Sequence, residues 1–579
     1  MSTDAQASPS SSPILASAWT GCSRSRRKLF RFSDTGKRSH RPPNPERMRV
    51  APRMRRMQRT PDILIRGGQV VDGLGNPPQR ADVAVASDRI EAVGVFPNAS
   101  ASVVLDAEGA VVCPGFIDAH SHSDAYLLIE PSAASKIFQG ITTEITGNCG
   151  ASAAPRFGPA RLPADWEALL PEQARWTTMA EYLSLLRQAR PAVNVFPLAG
   201  HNVLRAGVTG YVDRPATDEE IRLMRRRLEE ALEQGAHGLS TGLIYPPGLF
   251  AQHSEIQTLV SAAAAAGGIY TTHLRSEGAG LLESVSEAIS FARNAGARLQ
   301  ISHLKTSGPA NWHLADCALD LIRRARDQGL PVAADRYPYT ASATELDAVL
   351  PRSAAAGGRD GLLRLLRDPR ESERLAEELD SSRESGYWDS VMIGSTYNPS
   401  LRALRGRRIS EIAMEQGLSP GRAVVMILRE DLAMTGAFFF GMSEANMRKI
   451  LSEPWVMIGS DASLRAPTGP LASDYPHPRA YGTFPRFIRM ALDERLCPIE
   501  EAVRKMTSLP ASHFRIADRG AIRPGWFADI VVFDPEAMRD LATYDNPHRP
   551  AEGLRHLIVN GAITIRDGKL TGQRAGRIV

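Results

Sequence analysis

The sequence predicts an α/β fold: a (β/α)8 TIM-like barrel, a small β-sandwich domain formed from both termini, and a helical insertion before the last barrel strand. Three observations predict it. Short strand-like runs cluster at both ends of the chain, apolar strand-like runs alternate with amphipathic helical stretches in the middle, and one gap between two such runs is much longer than a simple crossover. A chain of 579 residues has room for such an arrangement.

The two ends of the folded region consist of short strands bounded by Gly, Asn, Asp and Pro. Near the start they lie at 63–65, 70–71, 81–86, 89–94 and 103–105, and near the end at 528–533, 556–561 and 563–565. Two such segments on either side of a long middle indicate one small β domain, made of residues 61–112 plus 515–579.

The middle of the chain, residues 113–514, predicts the barrel. Its eight apolar runs lie at 116–120, 142–147, 194–198, 238–243, 270–273, 299–303, 332–335 and 456–461. Stretches between them, such as 218–234, 255–266 and 314–328, carry apolar residues at helical spacing. Eight βα units close a barrel, and the long gap before the last strand predicts an inserted helical subdomain at about 346–454, over the barrel mouth.

The first 60 residues predict a disordered basic leader, because they are rich in Ser and Pro and have no hydrophobic periodicity. They carry 14 Lys and Arg against 3 acidic residues, which leaves 55 basic and 61 acidic residues in the rest. The folded part is therefore acidic, and a nucleic-acid partner loses its support. Met48, Met54 and Met57 precede the first strand. They favour a start codon assigned too early over a targeting segment.

Five widely spaced cysteines, an odd number in a long chain, predict a reducing compartment, and we expect a cytoplasmic protein. No apolar run reaches the ~18 to 20 residues that a membrane span needs. We therefore expect a small-molecule partner rather than a membrane. The sequence does not determine the oligomeric state.

The first barrel strand ends in a His-x-His motif, His120 and His122. Residues i and i+2 of a strand project to the same side, so both imidazoles can point to one metal ion. Two such histidines can also stack or hydrogen-bond in an ordinary interior, so the pair alone leaves both interpretations open.

Four further residues that can ligate a metal follow later strands: Cys149, His273, His303 and Asp461. Each alone could be structural, as a buried small hydrophobe, a core histidine or a capping aspartate. The C-terminal ends of the strands, however, are where a barrel carries its active site. Six such side chains at these ends predict a metal centre much more strongly than any one of them.

Longer motifs surround these residues. They read Gly-Phe-Ile-Asp-Ala-His-Ser-His at 115–122, Gly-Ile-Thr-Thr-Glu-Ile-Thr-Gly-Asn-Cys-Gly at 140–150, Gly-Leu-Ser-Thr-Gly-Leu-Ile-Tyr-Pro-Pro-Gly at 238–248, Thr-His-Leu-Arg-Ser-Glu at 272–277, Ile-Ser-His-Leu-Lys at 301–305, Asp-Arg-Tyr-Pro-Tyr-Thr-Ala-Ser at 335–342, Gly-Ser-Asp at 459–461, His-Pro-Arg-Ala-Tyr-Gly-Thr-Phe-Pro at 477–485 and Asp-Arg-Gly-Ala-Ile-Arg-Pro-Gly at 518–525. With these motifs the chain resembles the amidohydrolase superfamily, and within it the D-aminoacylase (N-acyl-D-amino-acid deacylase) family. The resemblance covers nearly all residues from Asp62 onward.

The resemblance implies zinc-dependent hydrolysis of N-acyl-D-amino acids with neutral or hydrophobic side chains. It implies that Cys149, His273 and His303 hold one tightly bound zinc, and that His120, His122 and Asp461 form a second, weaker position. Asp461 would also move the proton between the attacking water and the leaving nitrogen. The alternative is that Asp461 acts only as a metal ligand. Many binuclear members use a carboxylated lysine on strand four, but residues 236–241 contain no lysine, and Cys149 takes that place in the D-aminoacylase family.

Substrate-binding residues are implied in the same way. Lys305 would hold the amino-acid carboxylate, with Tyr245 and Tyr337 as hydroxyl partners. Strand periodicity adds Arg275, two residues after His273, as a second cation on the barrel-facing side. Where related sequences often have a second serine this chain has Ala343, so Ser342 or Thr344 would replace that hydrogen bond.

Three alternatives stay open. A deacylase specific for N-acyl-D-glutamate or N-acyl-D-aspartate would need one more cation, from Arg275 or Arg336. A ring-opening enzyme of the hydantoinase or dihydroorotase type would share the barrel and the metal. An inactive scaffold of the same fold would have lost its ligands, whereas all six are retained here.

Overall fold

The computed structural model describes residues 60–171 and 174–579. The predicted basic leader therefore lies outside the described residues except for Thr60. The strands, in chain order, are β1 (Ile63–Val70), β2 (Gln79–Ala86), β3 (Arg89–Gly94), β4 (Val103–Asp106), β5 (Val111–Pro114), β6 (Phe116–Asp118), β7 (Ile141–Thr146), β8 (Asn194–Pro197), β9 (Ala199–Gly200), β10 (Gly238–Gly242), β11 (Ile269–His273), β12 (Arg298–Ile301), β13 (Val332–Arg336), β14 (Ser342–Glu345), β15 (Val391–Ile393), β16 (Gly436–Phe439), β17 (Val456–Ile458), β18 (Ile530–Phe533), β19 (Leu554–Val559), β20 (Ala562–Arg566) and β21 (Lys569–Leu570).

The helices, in the same order, are α1 (Tyr126–Ile129), α2 (Ala134–Ile137), α3 (Ala164–Leu169), α4 (Met179–Ala189), α5 (His201–Thr209), α6 (Asp218–Glu233), α7 (His253–Ala265), α8 (Leu281–Ala295), α9 (Ala315–Asp327), α10 (Gly358–Arg367), α11 (Pro369–Ser382), α12 (Ile409–Gln416), α13 (Pro420–Glu430), α14 (Glu444–Ser452), α15 (Arg479–Leu492), α16 (Ile499–Met506) and α17 (Ser508–Phe514). Among the described residues, none of these helices combines the length and the apolar character that a membrane crossing requires.

Eight parallel strands surround a common interior, as predicted. One ladder runs β6-β7-β8 and the other β17-β13-β12-β11-β10-β9, and only Leu198 separates β8 from β9 along the chain. The ring closes between β6 and β17 through a parallel bridge from Ser121 to Ala462 and a hydrogen bond from the Ala119 amide to the Ile458 carbonyl (3.2 Å). The predicted α/β barrel is thus confirmed.

The barrel strands are apolar on both faces because both faces are covered. On β13, Ala333 packs inside the barrel with Ile117 and Met457, whereas Val332 and Ala334 pack outward against the helices. Strands buried in this way lack the alternation of half-exposed strands and read as continuous apolar runs. This is why the runs were visible in the sequence.

Strands from both ends of the chain share one sheet, in the order β21-β20-β19-β18-β5-β1-β2-β3. β1 pairs with β4 along its first half and with β5 along its second half, so the sheet forks there. The link between the two ends is the antiparallel pair of β5 and β18. The domain boundaries at 61–112 and 515–579 stay a prediction.

The insertion before the last barrel strand has a core of its own, between Leu346 and Ala437. It contains helices α10 to α13 and also a three-stranded antiparallel sheet, β14-β16-β15, that the sequence analysis missed. Strands of three or four residues are too short for a periodicity to show. Helix α14 packs on the barrel through Met447, Ile450 and Leu451, so it belongs to the barrel rather than to the insertion.

Candidate metal centre and active site

Side chains from the ends of four strands meet at one point of the barrel mouth. The ligand atoms of His120, Cys149, His303 and Asp461 all lie within 4.8 Å of one another. Cys149 Sγ is 3.3 Å from His120 Nε2 and 3.5 Å from His303 Nε2, and His120 Nε2 is 3.3 Å from Asp461 Oδ1. Sulfur and nitrogen donors bonded to one tetrahedral zinc at about 2.0–2.3 Å stand roughly 3.3–3.7 Å apart. The four side chains therefore fit a zinc ion.

The backbone turns sharply where three of these side chains leave their strands. Cys149, His303 and Asp461 have φ values of +52°, +35° and +50°, in the left-handed region that non-glycine residues seldom adopt. Such conformations cost about 1–3 kcal/mol each and cluster at functional sites. Next to Cys149, a Cβ on Gly150 would lie 2.3 Å from Asn202 Oδ1, so only glycine fits there.

A carboxylate lies against the second ring nitrogen of two histidines. Asp335 Oδ1 is 3.2 Å from Nδ1 of His120, and Glu277 Oε1 is 2.9 Å from Nδ1 of His303. At His120 the carboxylate favours the tautomer that carries its proton on Nδ1, which leaves the Nε2 lone pair for a metal; at His303 the Lys305 ammonium also lies 2.7 Å from Nδ1. Asp335 and Glu277 thus orient the donors.

The charge distribution keeps the cysteine and the aspartate ionised. Burial by itself would raise the pKa of Cys149, but His120 and His303 hold this pKa well below its usual value. Burial would likewise raise the pKa of Asp461, but Arg479, His303 and His120 hold it well below its usual range. A thiolate and a carboxylate are the forms that bind a metal.

His122 and Arg479 hold the two oxygens of Asp461. His122 Nε2 lies 3.2 Å from Oδ1, and Arg479 donates from Nη1 to Oδ2 at 2.8 Å. Burial alone would lower the pKa of His122, but its contacts with Asp461 and Cys149 raise the pKa to about 9. Asp461 is therefore fixed in orientation by a cation or a donor on each side.

His273 lies beside His303, with the two ring centroids 4.3 Å apart. It is 5% exposed, and neither ring nitrogen has a hydrogen-bond partner among the described residues. Buried polar groups without a partner are costly, so a metal ion would satisfy this ring. His273, Glu277 and His303 form a second donor group. The donor atoms do not separate by distance into the two implied ligand sets, because Cys149 Sγ lies as close to His120 Nε2 (3.3 Å) as to His303 Nε2 (3.5 Å).

Two implied substrate residues lie beside the donor cluster. Lys305 is 3% exposed, and its Nζ is 2.5 Å from Glu277 Oε1 and 2.7 Å from His303 Nδ1. The Tyr245 ring packs edge-on against His273, with centroids 4.9 Å apart.

Tyr337 and Ser342 lie one layer further out. The Tyr337 ring stands between the guanidinium groups of Arg336 (4.3 Å) and Arg479 (4.7 Å), and its buried hydroxyl has no hydrogen-bond partner among the described residues. Ser342 begins β14, and the next residue of that strand, Ala343, accepts a hydrogen bond from Arg479 Nη2 at 3.3 Å. β14 therefore borders the site.

Arg275 is not brought to the donor cluster. Its guanidinium forms two contacts of 3.2 Å with Glu287 of α8, the helix that follows β11. β11 ends at His273, so Arg275 lies beyond the strand, and its contacts with Glu287 direct it to α8.

Sequence reasoning missed three residues of the site: Glu277, Asp335 and Arg479. Asp335 ends the seventh predicted strand, just as the other candidate ligands end theirs, and this position could have revealed it. Glu277 and Arg479 lie within the quoted motifs, but no local pattern relates them to His303 or Asp461.

Comparisons with known proteins identify the family of the chain. A family model described as the amidohydrolase family matches residues 103–565. The D-aminoacylase of Alcaligenes xylosoxydans xylosoxydans is 38% identical over 523 residues, which are 90% of this chain and 97% of the relative. The N-acyl-D-glutamate deacylase of the same organism is also 38% identical, over 526 residues, with the same coverage of 90% and 97%.

A solved structure is similar over the same range. It is the N-acyl-D-glutamate deacylase of Bordetella bronchiseptica, complexed with zinc and a phosphonate inhibitor that mimics the tetrahedral intermediate of its reaction. It is 35% identical, has a TM-score of 0.76, and the match covers 90% of this chain and 99% of that one. The chain therefore belongs to the amidohydrolase family, in the group that contains the D-aminoacylase and the N-acyl-D-amino-acid deacylases.

Proposed function

We propose that this protein is a zinc-dependent hydrolase that cleaves the amide bond of N-acyl-D-amino acids into a carboxylate and a free D-amino acid. The observation that carries the proposal is the convergence of His120, Cys149, His303 and Asp461 within 4.8 Å. This convergence occurs in a chain that is 38% identical to a D-aminoacylase. The preference for the D enantiomer rests on the relatives alone.

Zinc is the proposed cofactor because a thiolate and imidazoles suit its borderline-soft character. When bound, zinc polarises the scissile carbonyl and stabilises the negative charge that develops on its oxygen. We propose Cys149, His273 and His303 as the ligands of one tightly bound ion. His120, His122 and Asp461 are proposed as a second, weaker position.

The proton transfer is assigned to Asp461. Its carboxylate would accept a proton from the attacking water and deliver it to the leaving nitrogen, acting first as base and then as acid. His122 at 3.2 Å and Arg479 at 2.8 Å support this role, because they hold both carboxylate oxygens in a fixed direction.

The carboxylate of the amino acid needs a cation near the donor cluster. Lys305 and Arg479 are buried cations in contact with that cluster, and both are proposed to bind the substrate carboxylate. Tyr245 and Tyr337 are proposed as hydroxyl partners, and the unpaired hydroxyl of Tyr337 supports its part in this role.

Neutral or hydrophobic side chains are the proposed preference. An acidic side chain would need a further cation, but Arg275 is neutralised by Glu287. Arg336 is buried, lies 4.3 Å from the Tyr337 ring centroid and donates from Nη2 to the Tyr339 carbonyl at 2.9 Å. Sequence identity does not distinguish a preference for neutral side chains from one for acidic side chains. The D-aminoacylase and the N-acyl-D-glutamate deacylase are each 38% identical to this chain.

Ring-opening chemistry is the weaker candidate. Strand β10, the fourth barrel strand, reads Gly-Leu-Ser-Thr-Gly and offers no lysine to bridge two metals, whereas Cys149 lies in the donor cluster. The proposed partner is accordingly a small N-acyl-D-amino acid. The proposed location is the cytoplasm, which the free thiols of Cys113, Cys149, Cys317 and Cys497 support.

The test is hydrolysis of N-acetyl-D-methionine by the zinc-loaded protein, beside its L enantiomer, N-acetyl-D-glutamate, N-acetyl-D-aspartate and dihydrouracil. We expect N-acetyl-D-methionine to be the best substrate and the L enantiomer to react far more slowly. Faster hydrolysis of the acidic substrates would overturn the side-chain preference. Opening of dihydrouracil alone would overturn the deacylase proposal.

A further inference from the structure

The two strands that carry Asp461 and the His-x-His motif meet at the weakest junction of the barrel. β6 and β17 form no ladder with each other, and the residues that follow them are joined by a few contacts. These include the hydrogen bond from the Asp461 amide to the His120 carbonyl (2.8 Å) and the one from the His122 amide to the Ala462 carbonyl (3.3 Å). Asp461 also has a strained backbone, with φ +50°. Its position therefore needs further contacts to be fixed.

A buried lysine next to the ends of β6 and β17 supplies these contacts. Lys136, on the short helix α2, is 0% exposed. Its Nζ lies 2.9 Å from Asp118 Oδ2 on β6 and 3.1 Å from Glu144 Oε1 on β7. It also donates to Ser460 Oγ at 2.9 Å and to the Ala462 carbonyl at 2.8 Å. One ammonium group thus connects β6, β7 and the chain after β17.

Both chain neighbours of Asp461 are held by this cluster. Ser460 donates from its amide to Asp118 Oδ1 at 2.7 Å and from its hydroxyl to Asp118 Oδ2 at 2.6 Å. On the other side, the carbonyl of Ala462 receives the hydrogen bond from Lys136. A displacement of the ammonium would therefore remove one contact on each side of the aspartate, with the Ser460 hydroxyl and with the Ala462 carbonyl.

The lysine remains charged in this position. Burial by itself lowers the pKa of Lys136, but Asp118 and Glu144 outweigh it and raise the pKa above its usual value. Lys136 does not contact the donor atoms of the metal centre, so it cannot act on the substrate directly.

We infer that Lys136 is a positioning residue that closes the junction of β6 and β17 and so holds Asp461 in place against His120 and His122. The inference rests on the proposed role of Asp461. A displacement of a reacting group by about 1 Å can lower a rate about 100-fold. The contacts of Lys136 with Ser460 and Ala462, here called the clamp, therefore matter for the reaction rate as well as for stability.

Lys505 offers a matched control at the opposite end of the same strand. It is also 0% exposed, and its Nζ donates to the carbonyls of Glu453 and Val456 (3.0 Å for Val456), at the start of β17. Lys136→Met and Lys505→Met each remove one buried ammonium group that binds β17 or the residues next to it. Only Lys136 binds the residues on either side of Asp461.

The experiment compares the two variants with the wild type by visible absorption of the protein loaded with two equivalents of cobalt(II), by steady-state kinetics and by thermal unfolding. We expect both variants to unfold at lower temperature. Lys136→Met should shift the cobalt spectrum and lower kcat about 100-fold with KM little changed, whereas Lys505→Met should leave both unchanged. A cobalt spectrum of Lys136→Met identical to that of the wild type would overturn the inference.

Two further provisions keep the result decisive. If Lys136→Met does not fold, Ser460→Ala replaces it, because this variant removes one arm of the clamp and leaves Lys136 paired with Asp118 and Glu144. A shifted cobalt spectrum then supports the inference and an unchanged one overturns it. The spectrum needs no substrate, so it remains informative even if the protein hydrolyses none of the N-acyl-D-amino acids.

Discussion

Glu277 Oε1 lies 2.9 Å from Nδ1 of His303, on the opposite side of the ring from Cys149. The carboxylate therefore faces the nitrogen that does not point into the donor cluster. Carboxylates in this position orient the ring and make its other nitrogen a better ligand. The same carboxylate binds Lys305, so one acidic group supports both a candidate ligand and a candidate substrate cation.

Glu277→Gln should weaken zinc binding by about 10- to 100-fold, because the amide lacks the charge that orients His303. Competition between the protein and a zinc chelator measures the change. Glu287→Gln is the control, since Glu287 pairs with Arg275 outside the cluster and its loss should leave zinc affinity unchanged. Equal affinities for the two variants would contradict the role of Glu277.

Cys149→Ala should lose the tightly bound zinc, because the thiolate is the anionic donor that lies between His120 and His303. Metal content per chain after gel filtration measures the loss. Cys317→Ala removes an exposed thiol on α9 and should retain the zinc of the wild type. Full zinc content in Cys149→Ala would show that the thiolate is not a ligand.

Asp461→Asn separates the two possible roles of this carboxylate. If Asp461 moves the proton, kcat should fall by about 10²- to 10⁴-fold while the tightly bound zinc is retained. Kinetics and metal content are measured on the same samples. Loss of that zinc in proportion to the loss of activity would instead identify Asp461 as a ligand alone.

Lys305→Met should raise KM for N-acetyl-D-methionine, because a charged hydrogen bond to the substrate carboxylate contributes about 1.5–3 kcal/mol, which is roughly 10- to 100-fold in binding. Arg275→Met is the control. Its guanidinium is already paired with Glu287, so KM should change little. A larger rise of KM in Arg275→Met than in Lys305→Met would restore the sequence-based assignment of Arg275.

Lys505 predicts a dependence of stability on pH. Burial lowers the pKa of Lys505 to about 8, below the value of about 10.4 in an unfolded chain. Between these two values the unfolded state binds a proton that the folded state has lost, so the free energy of unfolding rises with pH.

Relative to that of Lys505→Met, the free energy of unfolding of the wild type should rise by about 3 kcal/mol between pH 8 and 10.4. Below pH 8 the difference between the two proteins should stay constant. Urea denaturation of both proteins at pH 7 and pH 10 measures it. A difference between the two proteins that stays constant or falls with pH would contradict the lowered pKa.

Much of the site could be predicted from the sequence. His120, Cys149, His273, His303 and Asp461 were predicted to meet because each ends or follows an apolar strand, and parallel strands of a barrel end at one mouth. Arg275 was expected beside Lys305 from strand alternation, but in the structure its guanidinium contacts Glu287. Alternation holds only while the chain stays extended.

The short sheet β14-β16-β15 was missed for another reason. Its strands lie far apart along the chain, and each is stabilised by pairing with the others rather than by a pattern of its own. The same holds for Arg479, which lies 18 residues after Asp461 at the start of α15 and reaches its carboxylate only through the fold.

By itself, the sequence determined the barrel, the order of its strands and six residues that can ligate a metal, because periodicity and strand ends are local properties of the chain. Only the tertiary structure decided which donor atoms converge, that Glu277 and Asp335 stand behind two of the histidines, and that Lys136 clamps the chain on both sides of Asp461. These contacts join residues from different strands and loops. Closure of the barrel brings them together, and no local pattern records that closure.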